Sequence, residues 1–301
     1  MPSRWLSLII IAFWLAMGGL FFWRDLWPDW RPGEPPPYKA DLVGEAPPRQ
    51  GHGPTTSWIV YHNGVEAFTA ETWVTHQVED DTFVMESQLV QRPPFRGITP
   101  KWLPHVELRK GNGSYRVDRE GNLVGIRAEF NLRTKMGDNL ILKGLTGAKG
   151  FTGDVVLALT GDVRDGKLFP HWHIDNSLGK EFDLQVEPIA VPHRGSVIMP
   201  LQPVNRLRGV RPGQTWRVPL LDPLAMVGLD GGVKYLDARV LPEIEPLTWK
   251  GEQYPCLVIK YQGEDVMGRT WVAADDRGDD RVLRQEFDLG DDMRWSIQRE
   301  R

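Results

Sequence analysis

The sequence predicts an all-β, mainly antiparallel domain behind one N-terminal transmembrane helix. We expect a half-open barrel or a large curved sheet with a few short helices. Three observations support this: residues 5–23 are apolar and uncharged, eight prolines follow by residue 54, and apolar and polar side chains alternate from residue 58 onward. These changes divide the chain into an anchor at 1–27, a spacer at 28–57 and a β-rich domain at 58–301.

The apolar segment at residues 5–23 is long enough to span a bilayer. Its nineteen residues would form a helix of about 28 Å, close to the thickness of the hydrocarbon core. The alternative is a cleaved signal peptide, for which Ala16 and Gly18 supply a small-x-small pattern, but signal peptides have shorter apolar stretches. The length of the segment favours a retained anchor that contacts the membrane.

The charges beside the anchor leave its orientation nearly balanced, with Arg4 on one side and Arg24 and Arg31 on the other. Because a short tail before a single anchor usually stays in the cytoplasm, we expect a cytoplasmic N-terminus. The bulk of this single-pass membrane protein would then be extracytoplasmic, in the periplasm or at the cell surface. The prolines of residues 28–57 favour an extended, semi-rigid spacer.

Composition excludes two classes of protein. The net charge is −4 and no basic face is evident, so we expect no nucleic-acid partner. The single cysteine, Cys256, rules out an intrachain disulfide. It lies in the apolar pattern YPCLVIKY, which predicts a buried side chain that packs as a small hydrophobe.

Alternation is clearest at residues 124–133, where every second residue is apolar and the others are polar or glycine. Proline clusters at residues 188–213 predict a long connection or a boundary between two subdomains, and residues 100–110 and 219–228 could each hold a short helix. Similar strand patterns occupy residues 58–62, 65–78, 82–90, 114–117, 139–143, 154–163, 182–186, 215–218, 233–241, 253–262, 267–274, 282–289 and 293–298.

Candidate metal ligands are His171, His173 and Asp175, which share one face of a predicted strand. The alternative is an ordinary aromatic-rich strand end. Asn112-Gly113-Ser114 matches either a hairpin turn or a glycosylation sequon. No catalytic signature is present, so we expect neither an enzyme nor a bound cofactor.

Tryptophan is abundant in the β-rich part of the chain. Its indole N–H requires a partner when buried, which favours cavity mouths and interfaces. We therefore predict that Trp73, Trp216 and Trp271 line a concave ligand-binding face; the alternative is that they pack in the core.

Two stretches in the C-terminal third carry a family resemblance. Arg211-Pro212-Gly213-Gln214-Thr215-Trp216 leads into Leu221-Asp222-Pro223-Leu224, and Met267-Gly268-Arg269-Thr270-Trp271 precedes a charged turn and a strand. These pieces resemble envelope domains of unknown function grouped with the LolA-like lipoprotein carriers. The resemblance implies a half-open antiparallel barrel, closed on its concave side by helices, that handles lipid-like or acylated partners without catalysis.

Three functions follow as hypotheses. The first is a membrane-anchored, extracytoplasmic module that binds a lipid-like or acylated ligand, a lipoprotein or an envelope partner. A retained anchor would make it a fixed receptor or scaffold, since a free carrier must leave the membrane. The second is an envelope hydrolase with a metal on His171, His173 and Asp175, and the third is a purely structural interaction module. The sequence predicts no oligomeric state.

Overall fold

The computed structural model describes residues 4–21, 53–93, 106–119, 121–135, 152–176, 181–185, 187–191, 202–220, 234–274, 280–289 and 294–300. In these ranges a helix precedes sixteen strands. They are α1 (Arg4–Phe21), β1 (Thr56–His62), β2 (Val65–Gln77), β3 (Thr82–Gln91), β4 (Val106–Val117), β5 (Leu123–Lys135), β6 (Thr152–Arg164), β7 (Lys167–Asn176), β8 (Glu181–Gln185), β9 (Ile189–Ala190), β10 (Thr215–Leu220), β11 (Lys234–Val240), β12 (Glu245–Trp249), β13 (Glu252–Gln262), β14 (Met267–Ala273), β15 (Val282–Asp288) and β16 (Arg294–Arg299).

The sixteen strands form one antiparallel sheet. Its order is β10-β11-β13-β14-β15-β16-β1-β2-β3-β4-β5-β6-β7-β8, while β12 pairs with β13 and β9 with β7. Strand β1 lies between β2 and β16, so the first and last strands are neighbours and Trp58 pairs with Arg299. The predicted all-β, mainly antiparallel, large curved sheet is confirmed.

The sheet has one buried face, which we call the inner face, and an opposite outer face. Strand β5 shows the sequence basis: Ile126, Phe130 and Leu132 are buried, whereas Arg127 and Glu129 between them are exposed. Because successive side chains of a strand point to opposite faces, this alternation fixes which face meets the core. The main core lies on the inner face.

The two ends of the strand order approach each other. The Tyr235 hydroxyl of β11 donates a hydrogen bond of 3.1 Å to the Ala190 carbonyl of β9, which pairs with β7. The sheet therefore curves back toward itself around the main core.

A second, smaller hydrophobic cluster, which we call the outer cluster, contains Cys256, Val258 and Trp271 on the outer face of β13 and β14.

The lower end of the sheet is the end at which β1 begins and β16 finishes. The Gly53 amide donates a 2.8 Å hydrogen bond to the Val74 carbonyl, so the chain enters the sheet at this end. The connections between β3 and β4, β5 and β6, and β10 and β11 all join strands at the opposite, upper end.

Some local predictions are confirmed and others are wrong. Asn63 and Gly64 have φ angles of 50° and 80°, as the predicted hairpin turn requires. The hairpin interpretation of Asn112-Gly113 is wrong, because both residues pair with β3 inside strand β4. The predicted helices at 100–110 and 219–228 are wrong where the structure describes them: residues 106–110 belong to β4 and 219–220 to β10.

Helix α1 carries exposed apolar side chains. Trp5, Phe13, Trp14 and Leu15 each expose more than half of their surface. The predicted anchor extends to residue 23, two residues past the described helix, and most of the predicted spacer lies outside the described residues.

Among the helical residues described, none form a helix that is both long and apolar enough to cross a membrane.

Candidate functional site

Several buried residues of β3–β6 on the inner face keep a little of their surface exposed. Their exposed fractions lie between 5% and 9%, whereas Trp58, Phe68 and Ile297 near the middle of the strand order expose none. We call seven of these apolar or aromatic residues the inner patch: Met85, Leu89, Tyr115, Ala128, Phe130, Leu132 and Leu157. The patch is a mainly apolar part of the inner side of the curved sheet.

Two glycines lie at the centre of the patch. Gly111 and Gly113 occupy alternate positions of β4 on the inner face. A Cβ atom added at Gly111 would lie 3.4 Å from the Phe130 ring, and one at Gly113 would lie 3.1 Å from Ser87 Oγ. Because glycine brings no side chain, the side chains of Phe130 and Ser87 pack directly against the backbone of β4.

A chain segment fills the inner face at its lower end. We call residues 202–207 the crossing segment, because they run from the inner patch to β15. The Val204 amide donates to Gln285 Oε1 over 2.9 Å, and the Val282 amide donates to the Asn205 carbonyl over 3.0 Å. The predicted connection at 188–213 therefore contains an ordered stretch that is bound within the curved sheet.

Buried polar side chains hold the crossing segment in place. The Thr72 hydroxyl accepts a 2.9 Å hydrogen bond from the Trp58 indole and donates to Asn205 Oδ1 over 2.5 Å. Arg299 Nη1 donates to the Asn205 carbonyl over 3.1 Å, and Arg299 Nη2 donates to Thr56 Oγ1 over 3.3 Å. These bonds satisfy polar groups whose burial would otherwise cost free energy.

Gln202 lies where the crossing segment meets the inner patch, and it is only 8% exposed. Its Nε2 atom donates to the Met85 carbonyl over 3.3 Å. Its Oε1 atom is buried and has no hydrogen-bond partner within the described ranges. A ligand donor placed beside this atom would supply the hydrogen bond that it lacks.

Two tryptophans also present unpartnered donors. Trp172 on β7 is fully buried and Trp216 on β10 is nearly so, and both belong to the main core. Within the part of the chain that the structure describes, neither indole Nε1 has a partner. The inner face thus combines apolar surface with a few unused polar atoms.

The three tryptophans predicted to line a ligand site do not come together. Trp216 lies on the inner face, whereas Trp73 lies on the outer face and donates to Glu86 Oε2 over 2.7 Å. Trp271 packs in the outer cluster between Arg269 and Arg284, whose guanidinium carbons lie 5.0 Å and 5.3 Å from the ring centre. Because their strand positions point Trp73 and Trp271 outward, the three tryptophans do not share one face, and their role in ligand binding stays a prediction.

The predicted metal ligands His171, His173 and Asp175 share the outer face of β7, as the alternation requires. His171 and Asp175 are four residues apart on one strand, about 13 Å, which is too far for one ion. Both imidazoles instead approach Asp183 Oδ1 of β8, at 3.4 Å and 3.1 Å.

No group of three or more His, Cys, Asp or Glu side chains in the described ranges is placed to hold a metal ion. The hydrogen bond that His173 Nδ1 donates to Asp183 Oδ1 raises the pKa of His173 above its ordinary value of 6.5. The arrangement is therefore a pair of partly exposed imidazoles that both approach one carboxylate oxygen of Asp183.

Cys256 packs as the sequence predicts. It is fully buried in the outer cluster, and burial, with a smaller contribution from the Glu245 carboxylate, raises the pKa of its thiol to about 11. A thiol of this kind is protonated at neutral pH and is a poor nucleophile.

Sequence reasoning missed Gln202 and the glycine pair at 111 and 113. The signal for the glycines was their spacing of two within an alternating segment, which indicates a strand that needs space on one face. No local signal marks Gln202, since its position depends on contacts with residues 117 positions earlier.

No family model matches the chain, and no curated protein matches it. Among solved structures, it is similar to a beta-barrel-like protein of the domain of unknown function DUF1849 from Brucella abortus. The two share 10% identity with a TM-score of 0.38, over 81% of this chain and 95% of that one. The resemblance to LolA-like carriers inferred from short motifs stays a prediction.

Proposed function

We propose that this protein is a membrane-tethered, extracytoplasmic module that binds a lipid-like or acylated ligand on the inner face of its sheet and performs no catalysis. The observation that carries the proposal is the inner patch, an apolar part of the inner side of the curved sheet whose side chains keep 5% to 9% of their surface exposed. Unpartnered atoms of Gln202, Trp172 and Trp216 supply the few polar contacts that such sites use for orientation.

Photoaffinity labelling tests the ligand. The full chain, purified in detergent, is irradiated with a long-chain fatty acid that carries a diazirine, and the labelled peptides are identified by mass spectrometry. We expect labels on β3, β5 or β6, within the inner patch. An excess of unlabelled fatty acid should remove them.

A matched variant separates the inner patch from nonspecific contact. In Leu157→Lys, a buried charge occupies the patch, so the labels on β3–β6 should fall while those on residues 5–23 remain. The thermal unfolding midpoint is measured beside it, and Ala128→Ser provides a milder change at the same surface. Labels confined to residues 5–23 or to the outer face of the wild type would refute the ligand proposal and favour a purely structural interaction module.

The proposed tether rests on the exposed apolar side chains of α1, which are costly to leave in water. Residues 5–23 would insert in the membrane, and the chain beyond them would lie outside the cytoplasm. Two fusions after Arg301 test this in a bacterial host: alkaline phosphatase, which is active only after export, and a green fluorescent protein, which does not fluoresce after export through the general secretory route. Active phosphatase with a dark fluorescent fusion is expected, and the reverse pattern would refute the orientation.

A further inference from the structure

We infer that Gln202 makes this site selective for ligands that bring a hydrogen-bond donor, such as a hydroxyl or a protonated carboxyl group, to the lower end of the inner patch. The inference rests on the proposed ligand function and adds a residue that determines specificity. Its basis is the geometry around the Gln202 amide.

The orientation of this amide is fixed by its neighbours. Nε2 donates to the Met85 carbonyl, and the opposite orientation would bring two carbonyl oxygens together. The hydroxyl of Ser87, which lies beside Gly113 as Gln202 does, donates to the Gly113 carbonyl over 3.3 Å. Gln202 Oε1 is left as a buried acceptor without a partner among the described residues.

The backbone that follows Gln202 is held at two points of the crossing segment. Gln285 accepts from the Val204 amide, and the Leu207 amide donates to the Asp280 carbonyl over 3.0 Å. Gln285 is itself fixed, since its Nε2 donates to Thr270 Oγ1 over 3.4 Å. A polar group held in this way is preorganised, so a ligand spends little free energy on ordering it.

The chemistry of a buried acceptor then defines the ligand. A donor that reaches Oε1 forms a hydrogen bond in an apolar setting, whereas an ether or ester oxygen at the same place leaves two acceptors facing each other. A site that hydrogen-bonds one group strongly disfavours an analogue that cannot form the bond.

The test compares a long-chain alcohol with its methyl ether as competitors of the diazirine fatty acid on the full chain. We expect the wild type to prefer the alcohol about tenfold, which corresponds to one buried hydrogen bond. In Gln202→Leu the preference should disappear. Gln253→Leu, at an exposed position on β13, should keep it.

A second variant addresses the position of the amide without removing it. In Gly113→Ala, the new Cβ would lie 3.3 Å from Gln202 Oε1, so the amide must shift and the preference for the alcohol should fall. Equal competition by alcohol and ether in the wild type would overturn the role of Gln202. Failure of the fatty acid to label the inner patch at all would overturn the proposed function instead, so the two failures are distinguishable.

Discussion

Thr72 connects three parts of the molecule at the lower end of the inner face. Its hydroxyl is the acceptor for the Trp58 indole of β1 and the donor to Asn205 of the crossing segment. The side chain is 3% exposed, so water cannot replace either partner. One hydroxyl thus satisfies two other buried polar groups.

The substitution Thr72→Val changes the side-chain volume little, yet it should strongly destabilise the protein. It leaves the Trp58 N–H and Asn205 Oδ1 unpaired, which predicts a loss of about 2–3 kcal/mol in the free energy of unfolding. Urea unfolding of the full chain, followed by circular dichroism, measures the loss. Thr69→Val, on the outer face of the same strand, is the control and should change the free energy by less than about 0.5 kcal/mol.

Cys256 provides a second prediction at this scale. Because burial raises its thiol pKa to about 11 and the side chain is inaccessible, iodoacetamide at pH 8 should not alkylate the folded protein. Alkylation should become complete in urea. Intact mass spectrometry detects the adduct, and rapid alkylation of the native chain would contradict the buried position.

The sequence predicts residue burial well where alternation is regular, as at Ile126 and Phe130. It predicts less at tryptophans, because amphipathic rings occupy both faces of a sheet. Trp73 and Trp271 each stand between a threonine and a valine, so both faces of the strand carry residues that can be buried and the pattern does not assign the rings to the outer face.

At the scale of elements, β8 is a short strand at the end of the strand order. In the described part of the chain it pairs only with β7. On the outer face, Asp183 of β8 lies against His171 and His173 of β7, with the carboxylates of Glu181 and Asp175 nearby. The facing residues of β6, Ala158 and Thr160, are uncharged. Among the described residues of β6, β7 and β8, the charges beside the imidazoles are therefore negative.

These negative charges predict that the contact between His173 and Asp183 depends on pH. Asp183 raises the pKa of His173 in the folded chain, so the attraction is fully present below pH 6.5 and is lost as the pH rises through the raised value. In NMR titration, His173 should titrate above 6.5 in the wild type and return toward it in Asp183→Asn. A pKa at or below 6.5 in the wild type would contradict the contact.

Amide exchange provides a structural measure of the same contact. Once corrected for the intrinsic dependence on pH, exchange of β8 amides should become faster as the pH rises through the His173 pKa. In Asp183→Asn this change should be absent. Strand β12, which also pairs with one strand, carries no imidazole and serves as the internal control.

Elements were predictable from alternation and turn residues, and the exceptions have physical causes. The first half of β4 contains Gly111 and Gly113, whose turn-like composition conceals a strand that makes room on the inner face. Strands β9 and β12 were missed because one has two residues and the other contains Pro246 beside a turn at Lys250 and Gly251.

At the scale of the whole molecule, the curvature of the sheet depends on contacts between strands that are distant in the strand order. The Tyr235 hydroxyl links β11 to β9 across this join. The acceptor is the backbone carbonyl of Ala190, so this hydrogen bond requires the Tyr235 hydroxyl and is lost when only the aromatic ring remains.

Tyr235→Phe should loosen this join without unfolding the sheet. We expect a loss of about 0.5–1 kcal/mol and faster amide exchange in β9. Tyr254→Phe is the matched control, because the Tyr254 hydroxyl bonds to Glu252 within the same strand. Equal effects of the two substitutions on β9 would show that the join does not depend on Tyr235.

The sequence could indicate a concave apolar face but could not locate it. The inner patch depends on which strands are least covered, and the crossing segment depends on contacts such as that between Thr72 and Asn205, which are 133 residues apart. No local pattern encodes contacts of this length.

The pairing of β1 with β16 has a consequence for the time order of folding. Arg299 meets Thr56 across 243 residues, so one edge of β1 stays open during synthesis until the last strand has emerged. Contacts this distant in sequence form slowly, and open strand edges promote aggregation. The β1–β16 ladder therefore forms only after β16 has been synthesised, so closing the middle of the sheet is a late step in folding.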